Sequence, residues 1–539
     1  MKPLTIVYLS VVMTLGLSTT ANAGKTLTLR LEASSSVGNV TLIRAESGNM
    51  SARPTNKEAI ENNNLLLIGR DKNGNQLFTH STRDPRVIRA ESFNPRDGKI
   101  ESVRDVFFKN QQFEVQVPYH SALASLEIGS PSKAGAGITA AGRLGKISID
   151  QIQRLLRKKQ QQTVQASNVS GSELLINNGP AEKRLDIVIM GDGYTSNEMP
   201  KWRSDAQKVV TGLMADPLFA ANAKALNVRR VDVISAQSGI DDPPYGISRN
   251  TALNATMACA GIDRLVCADN NLAYNAAAQV TSADGRDVIL VVGNTTRYGG
   301  GGGYIATMTM HSAATELALH ELGHTLFGLA DEYDYGSCYG GEPSAPNVTR
   351  QTQRPYIKWG SQISGSTPLP TPTNRYTLGT VGLFQGGNYC TAGVYRPTEN
   401  SKMRNLGYPW DAVNWGVASN IFSRYKDTNT PDPNPNPNPD ITTVTGSLSG
   451  TGKYADHPSP YVYLANGGAI SASLRGPSNA DFELYLYRWN GSSWQAVAKS
   501  ESPTSTESIS YSANSGYYTV EVYSYRGTGT YTLTYSMPK

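Results

Sequence analysis

"LALHELGHTLFGLADEY", residues 317–333, sets two histidines four positions apart, a glutamate beside the first, and an acidic pair just past a glycine. Four residues of α-helix turn through about 400°, so His320 and His324 share one face, a turn apart, within reach of one ion. Glu321 lies about 100° round from His320, next to that ion without having to bind it, where it can act as a base toward water. The local sequence favours a buried helix: Ala, Leu and Glu fill the interior, Ser312 is placed to cap its start and Gly328 to end it. Buried imidazoles and carboxylates need partners, and a cation supplies them. A hydrogen-bonded pair of core histidines is the simpler alternative and a structural metal a second, but neither accounts for Glu321 in the middle position.

The third ligand has to come from beyond the helix. A left-handed glycine at 328 swings the chain back, and Asp331 arrives three residues later. Long-motif zincins place the glycine seven and the third ligand ten residues after the first histidine. Here Gly328 and Asp331 follow His320 by eight and eleven, so the position stays open between Asp331, which is preferred, and Glu332. Nitrogen and carboxylate donors with an open position suit a single catalytic Zn2+.

Upstream, "TTRYGGGGGYIATMT" (295–309) reads as a glycine-rich edge strand. An extended substrate could add to Gly301, Gly302, Gly303 and Tyr304 by main-chain hydrogen bonds. A phosphate loop would end in Gly-Lys-Ser/Thr, which is missing. Further upstream, "LDIVIMGDGY", "NVRRVDVISAQ" and "RDVILVVGN" are short apolar runs separated by helical stretches, the pattern of an α/β domain over 181–426.

The flanks differ. Residues 24–132 alternate in stretches such as "TLTLRLEA" and "QFEVQVPY" and read as an N-terminal β-sandwich-like domain. Residues 133–180 read as a connector with one basic helix, "SIDQIQRLLRKKQQQ". "DTNTPDPNPNPNPD" (427–440) is an extended spacer, and 441–539 form a small β-sandwich in which Phe482, Leu484 and Leu486 share one face. Residues 1–23 have the basic start, apolar run and Ala-Asn-Ala ending of a cleaved export signal.

At 539 residues the chain exceeds one core, so several domains are expected. The formal charge of +5, lowered by one with loss of Lys2, makes no case for nucleic acid. No later segment is apolar enough for membrane insertion, and nothing specifies an oligomeric state. The four cysteines suit an oxidising compartment, paired as Cys259–Cys267 and Cys338–Cys390 so that neither loop crosses the other. Structural Ca2+ near "GIDDPPYG" is a weaker expectation, since paired loop aspartates are usually solvated.

"HELGHTLFGLADEY", "YGGGGGY", "IVIMGDGY" and "YRPTENSKMRN", in that order over about 185–425, resemble the IgA-peptidase family of secreted bacterial zinc metallopeptidases. "DFELYLYRW", "GYYTVEVYS" and "GTYTLTYS" resemble the bacterial pre-peptidase C-terminal domain. The first resemblance implies a metzincin-like catalytic domain, with His320, His324 and Asp331 holding zinc, Glu321 as general base and Met403 in a methionine turn beneath the metal. Tyr395, Arg396 and Tyr408, near Met403, are candidate transition-state stabilisers. The expected function is a secreted zinc endopeptidase acting on protein or peptide substrates. Its rivals are a non-catalytic surface- or glycan-binding protein on an inactive peptidase scaffold, and a zinc hydrolase of a non-peptide amide or ester.

Overall fold

Alternating apolar residues build the N-terminal region as two facing sheets. The computed structural model describes residues 26–34, 40–48, 64–132, 135–158, 168–336, 340–425, 441–464, 468–489, 493–514 and 516–537. The expected leader, the 427–440 spacer and Cys338 lie outside the described residues.

Strands β1 (Thr26–Ser34), β2 (Val40–Gly48), β3 (Asn64–Arg70), β4 (Gln76–Arg83), β5 (Val87–Phe93), β6 (Ile100–Phe107), β7 (Asn110–Pro118), β8 (Ser125–Ser132) and β9 (Gly135–Ser148) make up this region. One sheet has the order β2-β1-β7 and the other β4-β3-β8-β9. Leu27, Leu29 and Leu31 of the first pack against Leu65, Leu67, Leu126 and Ile128 of the second. The hairpin β5–β6 belongs to neither sheet.

The stretch 133–180, read above as a connector, contributes to both neighbours. β9 pairs with β8, and helix α1 (Ile149–Lys158) buries Ile152 in the same core. Glycine and alanine dilute the alternation of β9, so its pairing is invisible locally and comes from the edge offered by β8. Strand β10 (Val169–Ile176) joins the central sheet instead.

The central region contains β11 (Leu185–Asp192), α2 (Met199–Ala215), α3 (Pro217–Ala221), β12 (Leu226–Val233), α4 (Asn270–Val280), β13 (Val288–Gly293), β14 (Gly300–Gly301), β15 (Ala306–Thr309), α5 (Ala314–Phe327), β16 (Phe384–Gly387), β17 (Cys390–Arg396) and α6 (Ala412–Phe422). Its main sheet runs β10-β12-β11-β13-β15-β14, with parallel inner strands and an antiparallel strand at each edge. Every residue of β11 and β13 is buried, because helices cover both faces, which explains their unbroken apolar runs. On one face Ile187 and Ile189 pack with Trp202 of α2, Leu322 of α5 and Phe422 of α6. On the other, Val188 and Met190 meet Tyr274 and Ala277 of α4.

At the C-terminus, β18 (Ile441–Leu448), β19 (Tyr454–Leu464), β20 (Gly468–Arg475), β21 (Asp481–Trp489), β22 (Trp494–Ser500), β23 (Thr506–Ala513), β24 (Gly516–Arg526) and β25 (Gly529–Ser536) form two four-stranded antiparallel sheets. Phe482, Leu484, Leu486, Tyr531 and Leu533 fill the space between them. The chain is thus multidomain and strand-rich, with β-sheet domains at both ends. No helix among the described residues is long and apolar enough to cross a membrane.

Candidate metal centre

Helix α5 starts at Ala314 without a side-chain cap, so Ser312 does not play the part expected of it. Its end is as the local sequence suggests. Gly328 adopts φ 64° and ψ 27°, a left-handed conformation that L-residues with a Cβ resist. Its N–H donates to the His324 carbonyl at 3.1 Å and the Leu329 N–H to that of Gly323 at 3.2 Å, which closes the last turn and reverses the chain.

That reversal orients both imidazoles. His324 Nδ1 lies 2.7 Å from the Leu329 carbonyl oxygen and His320 Nδ1 3.0 Å from that of Lys402. A carbonyl only accepts, so each Nδ1 carries the hydrogen and the neutral ring presents its Nε2 lone pair to the other side. The two Nε2 atoms are 3.1 Å apart. Asp331 Oδ1 stands 3.2 Å from each, and Glu91 Oε2, from β5 of the N-terminal domain, 3.1 Å from His320 Nε2. All four residues are buried, and their ligand atoms lie within 4.8 Å of one another.

Lone pairs and carboxylate oxygens converging on one buried point repel unless a positive charge sits among them. Asp331 Oδ1 makes no well-aligned hydrogen bond there. Burial alone would raise the Asp331 carboxyl, but positive charge at this point overcomes burial and holds the group well below the usual carboxylate range. Donors about 2.0–2.2 Å from a tetrahedral zinc stand roughly 3.3–3.6 Å from one another. The separations of 3.1–3.2 Å are close to that, so the donor set fits a zinc ion in chemistry and size.

Glu321 is buried and packs against the glycine strand: a Cβ at Gly302 would collide with its Oε2. Burial, reinforced by the charge of Glu91, pushes its carboxyl up to about 7. Beneath the helix, Gly323 leaves room for Met403, whose Sδ would lie 2.6 Å from a Cβ at that position. The same turn supplies the Lys402 carbonyl to His320, and the Met403 carbonyl accepts from the Glu332 N–H at 2.8 Å.

Other candidates fall elsewhere. Glu332 Oε1 accepts from Asn347 and Asn414 and its Oε2 from Ser401, so this carboxylate faces a separate buried network. The Arg396 guanidinium donates to the carbonyls of Gln385, Gly386 and Glu399, Tyr395 packs with Trp359 and Val413, and Tyr408 is half-buried in the turn after Met403. The phenols at the centre are Tyr389, whose hydroxyl donates to Asp331 Oδ2, and Tyr333, which meets Tyr389 and Phe93 edge-on. Phe93 in turn lies edge-on to His320, with ring centroids 4.9 Å apart.

The glycine strand is less open than expected. Gly300 exchanges hydrogen bonds with the backbone of Arg264 and Val266, in the loop closed by a Cys259–Cys267 disulfide. Tyr304 anchors the N-terminal domain, donating to the Arg83 carbonyl at 2.6 Å and packing on Phe113. Near "GIDDPPYG", Asp242 is paired with Arg297 at 2.7 Å and Asp241 accepts from the Arg249 N–H.

Glu91, Tyr333 and Tyr389 escaped the sequence reading. The glutamate lies 229 residues before His320, and no spacing rule connects them. Tyr333 ends the quoted motif and was within reach of it.

A buried set of imidazoles and carboxylates is donor chemistry that can hold a divalent metal ion. In comparison with known proteins, residues 174–378 match the family model described as IgA Peptidase M64, a match that supports a peptidase. Residues 461–524 match the bacterial pre-peptidase C-terminal domain. Among solved structures, a mitogen from Yersinia pseudotuberculosis is 23% identical over 19% of this chain and 88% of its own, with a TM-score of 0.16. The pre-peptidase C-terminal domain of a Bacillus anthracis collagenase is 22% identical over 18% of this chain and 88% of its own, with a TM-score of 0.15.

Proposed function

We propose that the protein is a secreted zinc-dependent endopeptidase with a zincin-type catalytic domain, in which His320, His324 and Asp331 hold one Zn2+ and Glu321 is the general base. The observation that carries this reading is the convergence of both Nε2 atoms and Asp331 Oδ1 on one buried point. The peptidase family match supports it. Secretion is supported by the leader-like residues 1–23 and by the C-terminal domain.

Zinc bound there supplies Lewis acidity, acidifying water and polarising the scissile carbonyl. The protein supplies the rest. Glu321, pushed up to about 7, accepts a proton from the attacking water near neutral pH and returns it to the leaving amine. The hydroxyl of Tyr333, buried and beside Asp331 and Glu91, is held well above the ordinary phenol range and stays protonated, a donor for the oxyanion.

Casein incubated with the full chain provides the test. Cleavage that stops with a chelator and returns with zinc is the expected result. Cleavage indifferent to the chelator would remove the metal from the chemistry, and metal binding without cleavage of any peptide, by the wild type and by Glu91→Ala alike, would favour the binding-protein rival.

A further inference from the structure

We propose that Glu91 is a fourth, removable ligand to the metal, through which the N-terminal domain holds the enzyme latent. The inference rests on the zinc reading above and goes beyond it. Catalytic zinc sites keep a position open for water or substrate, whereas four protein ligands are the mark of a closed, structural site. With Glu91 Oε2 3.1 Å from His320 Nε2 and within 4.8 Å of the other donors, the complement of protein ligands here is four.

The ligand comes from the wrong domain for a catalytic centre. Glu91 sits on β5, in the hairpin that belongs to neither sheet of the N-terminal sandwich. Its burial partners lie across the interface: His320 Nε2 at 3.1 Å, with Tyr333 and Asp331 beside it. The hairpin also covers the metal centre. Ala90, Glu91, Ser92 and Phe93 are all buried, Phe93 against His320 and Tyr333, while Ile88 lies beside Gly303 of the segment to which a substrate strand would add. Strand β5 therefore occupies the space a substrate needs, and its carboxylate takes the place of water at the ion.

The hairpin is pinned from outside the site as well. Arg264 donates to the Phe93 carbonyl at 2.6 Å, Arg104 to that of Ala260 at 2.6 Å, and the Leu406 N–H to that of Gly98 at 2.9 Å. Farther off, the buried Arg286 joins Glu46 at 2.7 Å and Glu114 at 2.9 Å across the same interface. Releasing the carboxylate thus requires displacement of a docked segment.

The test uses the full chain, wild type, Glu91→Gln and Glu91→Ala, each loaded with Co2+ in place of zinc. Acetohydroxamate, a small chelating ligand, is titrated while the visible spectrum is followed, and a short fluorogenic peptide is assayed with the zinc forms. The expected result is a spectrum indifferent to hydroxamate in the wild type and responsive in both variants, with peptide hydrolysis at least tenfold faster in the variants. Identical spectra and rates in all three would overturn the latch while leaving the metal site standing. Loss of metal and activity together in both variants would also overturn it, making Glu91 a permanent ligand. Failure of every form, wild type included, to take up cobalt would overturn the zinc reading and the latch with it.

Discussion

His320 and His324 show how a main-chain atom decides what a side chain can do. Each Nδ1 is tied to a carbonyl, so each Nε2 must face the common point, and Asp331 is brought there by the turn at Gly328. Glu321 sits beside the point and its role differs from theirs. Glu321→Ala is expected to keep zinc, measured as metal per chain, and to lose about 10²–10⁴ of turnover; a variant that lost its metal would show that the residue is a ligand. Asp331→Ala should release zinc to a chelator at least ~10-fold more readily than Glu332→Ala, because the Glu332 oxygens are engaged by Asn347, Asn414 and Ser401. The reverse order would hand the third position to Glu332.

Helix α5 carries the centre only because the turn around Met403 fits beneath it. Gly323→Ala is a test of that fit. Alanine is the better helix former by about 1 kcal/mol, yet its Cβ would lie 2.6 Å from Met403 Sδ and 3.1 Å from the Trp410 ring, and overpacking costs about 1–3 kcal/mol. A net loss of about 1 kcal/mol is expected in denaturant unfolding of the central domain; a more stable variant would mean that the contact is slack. Much of this element was legible in the sequence, because helical periodicity and a C-terminal glycine are local signals. The start was not: Ser312 does not cap it, and His311 accepts instead, through Nδ1 from the Ala313 N–H and through its carbonyl from the Ala314 N–H. Gly301 and its neighbours were legible as a strand, but their hydrogen bonding to the Cys259–Cys267 loop depends on residues about forty positions away. Tyr389 and Glu91 were not legible at all, since a strand's alternation tells which face is buried and never what it is buried against.

Across the whole molecule, alternation in the two β regions and unbroken apolar runs in the middle were enough to separate sandwich from α/β sheet. The docking of one on the other was not, and it is where the buried charges gather. In the central domain, burial and the neighbouring Asp287 push Asp186 up to about 7. A carboxyl raised in the folded state binds more protons folded than unfolded between about pH 4 and about pH 7. Its contribution is therefore full at the acid end, falls as pH rises through that window, and is level above it. Asp186→Asn should remove this fall, so the difference in unfolding midpoint between wild type and variant should shift in the variant's favour from pH 4 to 7. Parallel curves would mean that Asp186 titrates as an ordinary surface carboxylate.

The most direct measurement is anomalous diffraction on either side of the zinc absorption edge, from crystals of the full chain grown with zinc. The account predicts one strong peak per chain, bounded by His320 Nε2, His324 Nε2 and Asp331 Oδ1, with Glu91 Oε2 beside it in the latent form. No peak there, or one held by other residues, would contradict it.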